Sequence, residues 1–541
     1  MSLFPAESAR RGIVVITIVL AAATPALAQQ CDSVSSRTSL AAFSGQPIAS
    51  IRVVTHGTDA PAGIALLNAL HIRTRDQTIR QHLLFAAGSR LDTLAVGESL
   101  RRLRHERYLA DAEVSGRRCT GDRGVALTVT TRDSWSTKPE VRMRSTSTTF
   151  GMQERNLLGT GRDARVYLRS GEGRLGVGAA LHDPYFLGTA ATVTLATNSY
   201  ADGHDYTASL GRREQSVFDP WRAEASFTRA VRESPAAAGD TLHRTSAIAL
   251  VGRRVSATPR RAVSLLAGVE GEHTIVSTGP GARVVGPGAV RRRFVGADVG
   301  VRRSAAAYDT LTWLLPKSPI IDVPLSTELE LIVAQGYDFA TRGAMTHVDV
   351  WTGRMWHPRE RLLIVGDAWS SGFARENGWD AATLRGSLAL YAPASGGLWS
   401  ARIAGERLYA PDPDVRTLAS DDPTSDALPE EARFAQSGLS ASLERSRHLR
   451  GLTHSWALDG ALFAAASYRS DPVALNPEGL TVGAVGLGLR VVPTKIGRAT
   501  FRIDVGYPLL RSRELRQRPY VGISFTPGLE GGRQRDGRSS Y

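Results

Sequence analysis

Residues Arg155–Arg162 read RNLLGTGR, and two strands further on Asp183–Gly188 reads DPYFLG. Both are turn-like segments set between runs in which polar and apolar residues alternate. Asn156, Gly159 and Gly161 supply the backbone freedom that tight turns need. Between the two turns, Ala164, Val166 and Leu168 point one way while Arg165, Tyr167 and Arg169 point the other. A period of two, rather than 3.6, is a strand with one apolar and one wet face.

The same alternation fills the chain from about Pro139 onward, in runs of roughly ten residues broken by Gly, Pro, Asp and Asn. Thr192 to Ser199, Tyr206 to Arg213, Ala223 to Val231, Leu325 to Val333 and Phe501 to Tyr507 are examples. In the last, Phe501, Ile503, Val505 and Tyr507 form the apolar face, with Arg502 and Asp504 opposite. A soluble β-sandwich also alternates, but would not normally do so over this length behind an export signal. No segment after the N-terminus approaches the ~20 consecutive apolar residues of a spanning helix. A membrane-embedded mature chain would therefore have to be a closed barrel, the one other structure that satisfies every backbone group in lipid. The composition, 42% hydrophobic with 53 glycines, suits a wet-lumened barrel with many hairpin turns.

Together, RNLLGTGR and DPYFLG resemble the turns joining the early barrel strands of the BamA/TamA-type outer-membrane assembly and translocation family, also called the bacterial surface antigen family. The resemblance makes Asn156, Gly159, Gly161, Asp183, Pro184 and Tyr185 the turn residues of the family motif. The C-terminal runs resemble the last five family strands in order: SLERS (Ser442 to Ser446), THSWALDGALF (Thr453 to Phe463), TVGAVGLGLRVVP, GRATFRIDVGYPL and RPYVGISF. Tyr520, Gly522 and Phe525 partly match the terminal signal that the barrel-insertion machinery reads. Pro527 stands where that signal wants another aromatic. The implied fold is mainly β: a transmembrane antiparallel β-barrel, preceded by one small α+β domain. The family barrel has sixteen strands, whereas the amphipathic runs here number eighteen to twenty, with extra ones around Ile248 to Gly268 and Leu384 to Tyr409.

The N-terminus carries Arg10 and Arg11, an apolar run from Gly12 to Ala23, and Ala26-Leu27-Ala28 as a small-x-small cleavage site. This is a secretory signal peptide over 1–28; Gln30 occupies a position where a lipobox before Cys31 needs a small residue. A linker over 29–47 and a small domain over 48–134 follow. The domain reads as a β-branched strand at Ile51 to Val54, two helices, and two strands. The first helix, Asp76 to Phe85, carries Ile79, Leu83 and Leu84; the second is capped by Asp92 and carries Leu94, Leu100 and Leu103. The strands are Ala112 to Arg117 and Val125 to Thr131. The order β-α-α-β-β resembles the family's POTRA module, in which a strand edge and the adjoining helix receive exported polypeptide by strand addition. The barrel then occupies 138–527, with a basic tail over 528–541.

Lys and Arg number 66 against 52 Asp and Glu, a net charge of +14. The cations are dispersed along strands and in turns, a pattern for a solvated lumen and anionic lipid head groups and not for nucleic acid. Of the two cysteines, Cys31 and Cys119, both flank the small domain; an oxidising compartment favours a bond between them over two free thiols.

The family's VRGY/F tetrapeptide, on a long loop folded into the lumen, pairs its Arg with wall carboxylates, as a buried charge requires. No VRGY exists here. The matching loop falls at about Pro411 to Ser437, and the nearest literal match is Leu384-Arg385-Gly386-Ser387, in an alternating run. Arg385 and Arg416 are the two loop-plug candidates. There is no GxSxG elbow, HExxH helix, P-loop or zinc spacing. His182-Asp183 and His204-Asp205 are neighbours that face opposite sides of a strand. An enzyme, a cofactor and a metal are therefore not expected. The expected place is the bacterial outer membrane, with the small domain in the periplasm. The partners implied by the resemblance are membrane lipids, the insertion machinery and exported client polypeptides. The alternative on the same scaffold is a passive porin or structural barrel; a soluble periplasmic binding protein is the third reading.

Overall fold

The structure is a computed structural model. It describes residues 40–527 except 59–71, 120–123, 135, 144–146, 172–173, 201–202, 213–215, 217–218, 234–240, 259–260, 278–290, 306, 312, 315–320, 360, 410–416, 419–433, 436, 452–455, 471–478, 494–498 and 512–518. The signal segment, Cys31 and the basic tail lie outside the described residues.

The small domain is a three-stranded sheet with two helices. Strands β1 (Ile48–His56), β2 (Leu109–Arg118) and β3 (Val125–Asp133) are ordered β1-β3-β2, and helices α1 (Asp76–Gln81) and α2 (Thr93–His105) lie between β1 and β2 in sequence. β3 runs parallel to β1 and antiparallel to β2, so β1 and β2 are the edges. Every second residue of β3 is buried. Val125, Leu127 and Val129 meet Ile79, Leu103 and Tyr108 in one core.

Asp92 caps α2 as read from sequence, its side chain accepting from the Leu94 N–H at 2.9 Å. Arg102, Arg104 and His105 occupy its last turn, where the helix dipole favours cations. Three details of the sequence reading change. Helix α1 ends at Gln81 and not at Phe85, because the Leu84 N–H leaves the helix to donate to Ser99 Oγ of α2 at 2.8 Å. Leu94 is exposed, since it sits on the outer side of the capped first turn. The segment 29–47 is not all linker: Leu40–Phe43 forms a 3-10 turn that buries Phe43 in the core.

The rest of the chain forms one large antiparallel sheet. Its strands follow one another in sequence, from β4 (Thr137–Met143) through β5 (Ser147–Leu157), β6 (Arg162–Gly171), β7 (Arg174–Asp183) and β8 (Thr192–Tyr200) to the last strand, Tyr520–Pro527. The sheet curls into a barrel until that last strand lies beside β4. Its strands outnumber the sixteen of the family pattern. The runs read as extra are strand pairs of the same sheet, Thr241–Ala257 with Arg261–Ser277 and Gly378–Ala394 with Gly397–Tyr409, so the sheet is enlarged.

The two faces of the sheet are unlike. Val166, Leu168, Val299, Leu487, Val505 and Val521 are exposed on the outside. Asp504 and Arg490 are buried on the inside. The alternation predicted at Phe501 to Tyr507 therefore stands, with Asp504 in and Val505 and Tyr507 out.

Candidate functional site: the joint, the lumen and the seam

RNLLGTGR and DPYFLG are turns at one rim of the barrel, β5 to β6 and β7 to β8, and both are seats for the small domain. Gly159 and Gly161 have φ of +75° and +71°, in the left-handed region. A Cβ on Gly159 would lie 2.4 Å from the Arg73 carbonyl oxygen, and one on Gly161 2.9 Å from the Tyr108 hydroxyl. Close approach of the domain thus requires glycine at both positions. The Gly159 carbonyl accepts from the Arg75 N–H at 2.9 Å and from Thr78 Oγ1 at 3.0 Å. Asn156 has a different task from the glycines: its Oδ1 accepts from the Gly161 N–H, closing the turn. Its Nδ2 donates to Thr74 Oγ1, and both bonds are 2.8 Å. Thr74 in turn donates from Oγ1 and N–H to the Asp133 carboxylate, at 2.7 and 2.9 Å.

The second turn is tied to the first by Arg162 Nε, which donates to Asp183 Oδ2 at 2.8 Å. Asp183 Oδ1 accepts from the Tyr185 N–H at 3.0 Å, and that bond aims Tyr185 into the domain. There the Tyr185 hydroxyl accepts from Arg102 Nη2 at 3.0 Å and meets His82 Nδ1 at 3.1 Å. His82 Nε2 lies 3.0 Å from the Tyr108 hydroxyl. A neutral imidazole fits this chain: the Tyr185 O–H donates to Nδ1, and the Nε2–H donates to the Tyr108 oxygen. Burial above all, then the nearby Arg102 and His105 charges, hold His82 down at about 3. Burial likewise pushes the Tyr185 phenol up to about 12. The centre of the joint is thus a buried hydrogen-bond chain around a neutral His82, with the Arg102 guanidinium at its edge.

The lumen is lined by ion pairs. Arg222 reaches Glu330 at 2.8 Å, and Arg375 reaches Asp338 and Asp380 at 3.0 Å each. Arg244 and Arg292 share Glu272. Arg490 and Arg502 share Glu444, at 2.6 and 3.1 Å, and both reach Asp504. A buried guanidinium needs such partners.

Arg385 belongs to this wall. It lies in the strand Gly378–Ala394, donates to Glu406 and sits over Trp369, so it is a strand residue and not a loop plug. Its alternating context was the signal for that. Arg416 lies outside the described residues. Of the loop 411–437, Thr417–Leu418 pairs with Phe434–Ala435. His182 bonds Thr194 Oγ1 across the strand pair, away from Asp183. Among the described residues no group of carboxylates, histidines and cysteines is placed to hold a metal.

At the seam, the last strand makes eight pairs with its predecessor Ala499–Arg511, from Ala499–Pro527 to Gly506–Tyr520. With β4 it makes one among the described residues, Ile523–Met143. Tyr520 lays its ring on Gly506, where a Cβ would come within 2.2 Å of it. Gly522 is buried, and Phe525 pairs with Phe501. Cys119 is buried and disulfide-bonded.

No protein-family model and no curated protein matches the chain. Among solved structures it is similar to CdiB from Acinetobacter baumannii, at 10% identity over 89% of this chain and 74% of that one, with a TM-score of 0.40. CdiB from Escherichia coli gives 10% identity over 91% and 80%, also at 0.40. BamA from Haemophilus ducreyi lacking POTRA domains 1-3 gives 11% identity over 88% and 85%, at 0.37.

Proposed function

We propose that this protein is an outer-membrane barrel that assists insertion or translocation of exported polypeptides, with the small domain acting as a POTRA module in the periplasm. The membrane reading is supported by the inverted polarity of the sheet. Its apolar residues are outside and its charges are paired inside, an arrangement that lipid stabilises and water does not. The rim that seats the small domain is then the periplasmic one.

The observation that carries the client-handling reading is the seam. Among the described residues β4 and the last strand share the pair Ile523–Met143, beside the eight pairs that the last strand makes with its predecessor. Where a seam opens, the main-chain groups it frees are a template for another strand. The edges β1 and β2 of the small sheet offer a second such template, upstream of the seam. Client would add first to the small sheet and then to the seam, by exchange of backbone hydrogen bonds, with no covalent chemistry and no cofactor. Tyr520, Gly522 and Phe525 serve instead as the terminal signal by which the chain itself is inserted.

The test is a lock across the observed pair, Met143→Cys with Ile523→Cys. Cells carrying the oxidised lock should lose a subset of outer-membrane or secreted proteins, and regain it under reductant, while the locked barrel stays heat-modifiable on gels. An unchanged envelope proteome in locked cells and in a deletion strain would leave a passive barrel as the function. Recovery of the mature chain in the soluble periplasm would overturn the membrane reading itself.

A further inference from the structure

Between the strands Arg291–Ala305 and Glu328–Asp338 the chain makes a long excursion at the rim that seats the small domain. Neighbouring connections at that rim are short, such as 257–261, 359–362 and 394–397. Within the excursion, Tyr308–Leu311 pairs antiparallel with Ile321–Pro324 as a small hairpin outside the main sheet. Its apolar residues Leu311, Leu314 and Val323 are buried against Leu363, Val365 and Ala389 of the barrel wall.

Those three wall residues face the lumen. Leu363 pairs with Tyr391 and Val365 with Ala389, while the alternate positions Leu384, Leu388 and Leu390 are exposed on the outer face. All lie near the ends of their strands, at the domain-side mouth. Asp309 of the hairpin also meets His357 of the wall at 2.8 Å. The pad is one of several apolar clusters on the inner wall, beside Phe294 with Phe373 and Leu250 with Ile332, and it is the one the hairpin covers.

Helix α2 of the small domain grips the same hairpin from the other side. The Arg101 guanidinium lies 4.6 Å from the centre of the Tyr308 ring, and Arg104 stands 3.8 Å from Asp322. Arg102, between them in sequence, holds Tyr185 of the joint. One helix thus contacts both the barrel rim and the hairpin.

We propose that the Tyr308–Leu311/Ile321–Pro324 hairpin is a plug of the domain-side mouth of the lumen, latched shut by Arg101 and Arg104 of the small domain. Movement of the domain would release the latch and let the hairpin leave its apolar pad. The plug rests on the membrane-barrel reading and not on client handling, because an ionic current tests it with no client present.

The experiment uses the full mature chain in planar bilayers of phospholipid with potassium chloride as the probe. The wild type should be mostly closed. Arg101→Ala with Arg104→Ala should raise the open fraction several-fold. Replacing 308–324 by a short Gly-Ser linker should give a steady conductance. Arg104→Asp should open the barrel, and adding Asp322→Arg should close it again, a rescue that a general loss of stability would not produce. If the linker variant stays heat-modifiable yet conducts no more than the wild type, the plug is overturned. Should the linker variant not fold, an unchanged current in the Arg104→Asp protein, or the absence of rescue, overturns the latch. Loss of heat-modifiable mobility in the wild type would instead sink the barrel reading.

Discussion

The small domain and the barrel are built from similar residues placed inside out relative to each other. In the domain, Ile79, Leu103 and Val129 form the buried core, with Glu98 and Asp133 as buried charges beside it. In the barrel, Val166, Val299 and Leu487 are outside, and Glu272, Arg292 and Asp504 are buried. Both regions obey period-two alternation in their strands. On the proposed membrane reading, what differs is the surroundings each apolar face is built for, a protein core in one and a lipid phase in the other.

The contrast is sharpest in the lumen. Glu444→Gln withdraws the charge that Arg490 and Arg502 share, and unpairing buried charge costs roughly 3–5 kcal/mol. The barrel band on unheated gels should weaken or convert at lower temperature, while the domain's protease pattern stays unchanged. In the domain, Ile79→Ala should cost about 2–5 kcal/mol by leaving a cavity. Its urea midpoint should fall with no change in barrel mobility. The outward Val299→Ala should be close to neutral in water-facing assays, and Val299→Arg should impair membrane insertion by ~2–4 kcal/mol if it sits near the bilayer midplane. Equal sensitivity of the two regions to these four changes would break the contrast.

A milder effect is expected from Cys119→Ser. If Cys31 is its partner, cross-linking constrains only the unfolded small domain, so roughly 2–4 kcal/mol should leave the domain alone. Alkylation of both thiols in the folded, unreduced protein would refute the bond.

The gentlest probe is acid at the joint. His82 faces Tyr108, Tyr185, Arg102, His105 and Glu106, and its proton affinity is depressed from 6.5 to about 3. A depressed site binds protons more readily when undocked or unfolded, so its contribution is complete above about 6.5 and shrinks as pH falls toward 3. Protease access to the α1–α2 segment should therefore rise on acidification through that window, and His82→Gln should flatten the response. An identical profile in the variant would remove His82 from the joint.

Much of this was legible beforehand. Alternation at Ala164–Arg169 and Phe501–Tyr507 assigned the faces, and Asp92 marked a helix start. The turn residues Asn156, Gly159, Gly161, Asp183 and Tyr185 were recognisable as a set. Their use as seats for the domain was not, because His82 lies 103 positions from Tyr185 and Thr74 lies 82 from Asn156. Local pattern carries no information about such partners. The plug hairpin escaped for another reason: its strands are four residues each, too short for alternation to register. Leu94 shows the converse error, an apolar residue at helical spacing that nothing covers.

The seam also sets an order of events. The contacts between the domain and the turns after β5 and β7 all lie within the first two hundred or so residues, whereas the seam joins Met143 to Ile523. Closing a loop costs entropy that grows with the logarithm of its length. The long closure here joins residues at opposite ends of the barrel sequence. The N-terminal domain and the first strands can thus assemble as a unit while later strands are still being added. Barrel closure is then the last step of biogenesis, and a chain halted just before it would already carry a fully seated domain.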